Sequence, residues 1–150
     1  MSNILQSITA KNVVDTEITA DFETDVIQTG DGVNIVFTGR FAGRDYNKPL
    51  GNAIRKQYQA RLKKARDEDE KLAVINEIVI NLYPRYVIVG WNLLKDGKEI
   101  PYSKEDCRVV LETLLEANLY ELNELMTFFS DPRTFSNEIL TPEQGIEKGN

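Results

Sequence analysis

Residues 16–41 read TEITADFETDVIQTGDGVNIVFTGRF, and two alternating runs inside this stretch decide the fold class. Ile18, Ala20, Phe22, Thr24 and Val26 fall on one side of a period-two pattern, and Glu17, Asp21, Glu23 and Asp25 fall on the other. Val33, Ile35, Phe37 and Phe41 mark the inward face of a second run. Thr29-Gly30-Asp31-Gly32 between them carries turn chemistry, so the pattern predicts a β-hairpin over 16–41. Two strands alone are marginal in water, and the ribbon needs cover over its apolar face.

Downstream the period changes. Leu50, Ile54, Tyr58 and Leu62 recur every four residues, which predicts an amphipathic helix with Pro49 in its first turn. The charged run 66–71 breaks the apolar pattern, and a second helix carries Leu72, Ile75, Val79 and Leu82. Pro84 is expected to kink that helix or to end it at Tyr83. The segment Tyr86-Val87-Ile88-Val89-Gly90-Trp91 suits either a buried helical turn or a strand, and the continuing upstream pattern favours helix. Asp96-Gly97 predicts a tight turn. Ser103, with Asp106 three residues on, predicts a capped helix start. Cys107, Val110, Leu111, Leu114 and Leu115 then form an apolar stripe that Asn118 ends. A last helix carries Leu119, Leu122, Leu125, Met126 and Phe129 and stops at Ser130-Asp131-Pro132. The expected fold is α+β: one domain over 16–135, with a hairpin at 16–41 and about four helices within 49–135. Residues 1–15 are expected to be loose and 136–150 to form a flexible acidic tail.

Composition narrows the function. The chain has 150 residues, a net charge of −6 and no histidine, so it lacks the commonest general base and metal ligand. The single Cys107 excludes a disulfide framework within the chain and points to a reducing compartment. No apolar run approaches the roughly 20 residues that span a bilayer, and no basic region precedes an apolar start. The expectation is a soluble intracellular protein that is not an enzyme, has no cofactor and does not associate with membranes.

Between Arg40 and Arg66 there are nine basic residues against one acid, Asp45, with Tyr46 and Tyr58 interleaved. Cations and stacking rings together suit nucleic acid, but the negative net charge opposes it. The alternative is a solvated basic face matched to the acidic stripe of residues 17–25, within one subunit or across a homo-oligomer. Calcium is not expected from that stripe, because alternate strand residues do not wrap an ion and no EF-hand loop is present. Cys107 belongs to a core stripe, Ser103 to a cap, and Gly30 and Gly32 to a turn between strands. Trp91, Tyr102, Phe129 and Phe135 are expected in the core. Phe128 falls beside the buried stripe and is left for an interface.

The ordered set 47–64, Gly90-Trp91, Asp96-Gly97, Pro101-Tyr102-Ser103 and Asp131-Pro132 through Phe135 resembles the tail assembly chaperones of long-tailed bacteriophages. The resemblance spans roughly residues 33–135, and Pro84, inside the helix leading to the tryptophan, departs from the family's pattern. It implies a non-enzymatic protein that works in the host cell cytoplasm during virion assembly. Its implied partners are the tape-measure protein and tail-tube subunits, with a longer frameshifted form as a frequent companion. Arg55, Lys56, Arg61 and Lys63 on the basic helix, with Tyr120 and Phe128 on the terminal helix pair, are the candidate partner-binding residues. A virion structural protein (head decoration, neck or tail subunit) shares the same signals and is the alternative.

Overall fold

The computed structural model describes residues 17–136. The expectations for 1–15 and, Ser136 apart, for 136–150 fall outside the described residues. Strands β1 (Ala20–Gln28) and β2 (Asn34–Gly39) form the hairpin, with Phe22 opposite Phe37 and Thr24 opposite Ile35. The turn is closed by the Thr29 amide donating to the Val33 carbonyl at 2.8 Å, and Gly32 takes φ +80°. Val33 lies in the turn and is 51% exposed, so Ile35 and Phe37 carry the inward face without it. Thr24, buried on that face, is satisfied by donating to Glu121 Oε2 at 2.9 Å.

Among the described residues five helices follow, which makes the architecture α+β. They are α1 (Lys48–Gln57), α2 (Gln59–Lys64), α3 (Glu68–Tyr86), α4 (Lys104–Ala117) and α5 (Glu121–Ser130), and a 3-10 turn, Pro132–Phe135, comes after them. The helix expected from Pro49 through Leu62 is divided at Tyr58, whose φ of −126° breaks the helical run between α1 and α2. The charged run 66–71 holds both the break, at Arg66 and Asp67, and the first turn of α3, which starts at Glu68. Asp67 accepts from the Glu70 amide, and Glu68, Asp69 and Glu70 complement the helix dipole. Central placement explains why α3 is buried well beyond the stripe read from sequence. It packs on α1 and α2 as well as on α4 and α5, so Val74, Ile78 and Tyr83 are buried too.

Around the end of α3 one of the two alternatives for Pro84 is excluded and one expectation is overturned. The helix does not stop at Tyr83 but passes through Pro84 to Tyr86. Its last carbonyls find side-chain donors: Tyr102 Oη donates to Pro84 O at 2.7 Å, and Asn47 Nδ2 to Tyr86 O at 2.9 Å. The segment favoured as helix is instead strand β3 (Ile88–Trp91), antiparallel to β2 with Trp91 opposite Phe37. The sheet order is β1-β2-β3. A third strand closes the open edge of the hairpin, which local helical continuation of α3 could not do.

Strands β4 (Leu94–Lys95) and β5 (Lys98–Glu99) flank the expected tight turn, where Asp96 and Gly97 take φ +53° and +77°. Ser103 Oγ accepts from the Asp106 amide at 3.1 Å and caps α4 as expected. Helices α4 and α5 pack on β1, and Phe129, Phe135, Leu111, Leu114, Leu122 and Leu125 are fully buried. Leu119, assigned to the last helix's apolar stripe, precedes α5 and is 52% exposed.

Gly51, inside α1, tests the packing of the loop before it. A Cβ there would stand 2.7 Å from the Arg44 carbonyl oxygen, a backbone atom. Helix propensity alone makes Gly51→Ala stabilising by up to about 1 kcal/mol. The close approach reverses that sign, so a lowered melting temperature is expected in thermal unfolding, and a raised one would show that the loop yields freely.

Candidate functional site

Arg55, Lys56, Arg61 and Lys63 are all exposed on α1 and α2. Two of them are already engaged: Arg55 donates to Asn52 Oδ1, and Arg61 pairs with Glu77 while lying over the Tyr58 ring at 5.8 Å. The hydrogen bond from Arg61 holds the Glu77 carboxyl below the usual range and raises the guanidinium in turn. In the acidic stripe, Asp21 and Glu23 accept hydrogen bonds from Thr38 and Asn34 of the neighbouring strand.

The two aromatic candidates separate. Tyr120 is 60% exposed at the corner between α4 and α5, next to exposed Leu119. Phe128 is half-buried. Its ring packs 5.5 Å from Phe22 and 5.1 Å from Phe129, so it seals the rim of the sheet and does not stand free. Trp91 is likewise half-buried, donating from Nε1 to the Ile100 carbonyl at 2.8 Å and meeting Tyr102 edge-on at 4.9 Å. Beside the Tyr120 corner is a shallow cleft of about 250 Å³, floored by Leu72 and Ile75 and rimmed by Glu68, Asp69, Lys71 and Asn123. Below it Asn76 is buried on α3, with Nδ2 donating to Leu119 O at 3.4 Å and Oδ1 without a partner among the described residues.

Cys107 is fully buried where α4 faces Tyr102. Burial pushes its thiol up to about 12, against a contrary pull from the Tyr102 hydroxyl. Burial also raises Tyr102 and Tyr83 well above the ordinary tyrosine value. A thiol protonated at neutral pH is a poor nucleophile, so alkylation of Cys107 by iodoacetamide is expected only after unfolding. Because the folded value exceeds the unfolded one of about 8.5, the unfolded chain loses its proton first as pH rises. Stability is therefore complete below that value and falls through the range up to about 12, which urea midpoints across alkaline pH can follow. Among the described residues no group of three Asp, Glu or Cys side chains is placed to hold a metal ion. No described helix is long and apolar enough to cross a membrane.

A second cleft, of about 300 Å³, lies between the loop after β2 and the last turn of α3. Arg40, from the loop after β2, and Arg85, from the last turn of α3, both line it, and Phe41, Tyr46 and Tyr86 contribute rings. Sequence inspection noted the basic count that includes Arg40 but named Arg55 and Arg61 on the basic helix, because Arg40 and Arg85 are far apart in the chain. Each precedes an aromatic residue, Phe41 and Tyr86, and that pairing was the available signal.

No curated protein and no solved structure matches the chain. A protein-family model described as YdaY prophage protein matches residues 41–130, from the start of this second cleft to the end of α5. That is more than half of the chain, which therefore belongs to the YdaY prophage protein family and is phage-derived.

Proposed function

We propose that this protein is a non-enzymatic tail assembly chaperone that binds the tape-measure protein, and tail-tube subunits with it, in the host cytoplasm. The observation that carries the proposal is the apolar corner at Leu119 and Tyr120, 52% and 60% exposed, on a protein of prophage origin. The adjoining cleft, with its Leu72 and Ile75 floor and a rim of Glu68, Asp69 and Lys71, has the form that receives one face of an amphipathic helix. Exposed Lys56 and Lys63 on α1 and α2 favour fast encounter and solubility. The ordered motifs that resemble the tail chaperones add support, and the family match contributes the prophage origin.

Co-expression with the tape-measure protein of the same phage tests this directly. A soluble complex is expected, weakened about tenfold by Tyr120→Ala with little change in melting temperature. Phe128→Ala is expected to act mainly through stability, given its packing on Phe22. No complex, together with detection of the chain in purified virions by mass spectrometry, would replace the chaperone with a structural subunit.

A further inference from the structure

We propose that the cleft formed by Arg40, Phe41, Tyr46, Asn47, Arg85 and Tyr86 is a receptor for an acidic, aromatic-bearing segment of a partner polypeptide. Both arginines lining it are exposed, and neither forms an ion pair with an acid among the described residues. No acidic side chain lines the space. Arg85 lies over the Tyr86 ring at 5.2 Å, which holds its guanidinium in place. A guanidinium fork donates two parallel hydrogen bonds to a carboxylate, and two arginines lining one cleft suit adjacent carboxylates.

The walls are already fixed. Asn47 Nδ2 donates to Phe41 O at 3.1 Å and to Tyr86 O at 2.9 Å, which joins the two sides. The Arg40 amide donates to Val87 O at 2.9 Å, and the Phe41 ring is backed by Phe135 at 5.5 Å. A ligand therefore meets a site that needs little ordering on binding. The exposed Tyr46 ring, backed by Phe41 at 5.6 Å, offers an aromatic surface beside the charges, and the volume suits one or two side chains.

A peptide fits these features better than nucleic acid does. A single strand needs a run of cations with successive stacking rings, and here Phe41 is buried and Tyr86 half-buried, leaving Tyr46 as the exposed ring. The chain's net charge of −6 also opposes a long polyanion, while a short acidic segment feels mainly the local arginines. The site uses different residues from the Leu119 and Tyr120 corner, so either can fail without the other.

The test uses the full chain and a fluorescein-labelled peptide, Gly-Glu-Phe-Glu-Glu-Phe-Glu-Gly, followed by fluorescence anisotropy. A glutamine-for-glutamate peptide and an oligodeoxythymidylate serve as the other arms. Saturable binding of the acidic peptide is expected. The glutamine peptide, or the R40E/R85E double variant, should weaken it about tenfold or more. Both arginines are exposed, and an unchanged melting temperature would confirm that the variant folds. Resonance shifts at Tyr46 and Tyr86 in the unmutated chain give a second readout. Absence of peptide binding, binding indifferent to the double variant, shifts confined to other residues, or preference for the oligonucleotide would each overturn the proposal.

Discussion

Phe129→Ala is expected to destabilise the protein by about 3–5 kcal/mol, whereas Phe128→Ala, one position earlier, should cost about 1–2 kcal/mol. Phe129 is fully buried where the sheet, α5 and the final 3-10 turn meet. Its ring is 6.4 Å from Phe22 and 6.2 Å from Phe135. It also presses so closely on Gly39 that a Cβ there would stand 2.8 Å from it. Removing it leaves a cavity under β2 that the rigid strand cannot fill. Phe128 loses mainly one face of contact with Phe22 and gains access to water. Urea unfolding of both variants separates the two, and equal losses would mean that α5 presents a different face to the sheet.

Replacement of Asn47 should produce the second largest effect, with an order that capping propensity does not anticipate. Its Oδ1 accepts from the Leu50 amide at 3.3 Å at the start of α1, while its Nδ2 serves Phe41 O and Tyr86 O. Asn47→Ala removes all three bonds and is expected to cost about 2–3 kcal/mol. Asn47→Asp keeps a good cap acceptor but turns carboxylate oxygen toward two carbonyls. If the residue were only a helix cap, aspartate would be nearly neutral, because Asn and Asp cap equally well. Here Asn47→Asp should be at least as damaging as Asn47→Ala, read as midpoints of urea unfolding at neutral pH. A near-native aspartate variant would show that the two donated bonds contribute little.

Features decided within a few residues were legible in the sequence. The face of β1, the Asp96-Gly97 turn, the Ser103 cap and the Cys107-Leu111-Leu114 stripe all follow from local period, side-chain caps and the freedom of glycine at positive φ. Features decided by a distant partner were not. Val87-Ile88-Val89 has no period long enough to separate strand from helix, and the unpaired edge of β2 made the choice. Pro84 read as a kink or a stop because its neighbours along the chain cannot reveal that Tyr102 and Asn47 bond the carbonyls of Pro84 and Tyr86. The candidate site divides in the same way. Exposure of the basic helix and of Tyr120 could be read from amphipathic spacing, but the tight packing of Phe128 on Phe22 and the meeting of Arg40 with Arg85 depend on tertiary assembly.

Hydrogen exchange of the chain, alone and bound to the tape-measure protein of its phage, tests most directly whether the molecule acts by holding another polypeptide. Slowed exchange is predicted around Leu119 and Tyr120 and in the first turns of α3 and α5, while amides of the β1–β2 turn keep their free rates. Identical exchange across those segments in the presence of excess tape-measure protein would contradict the account.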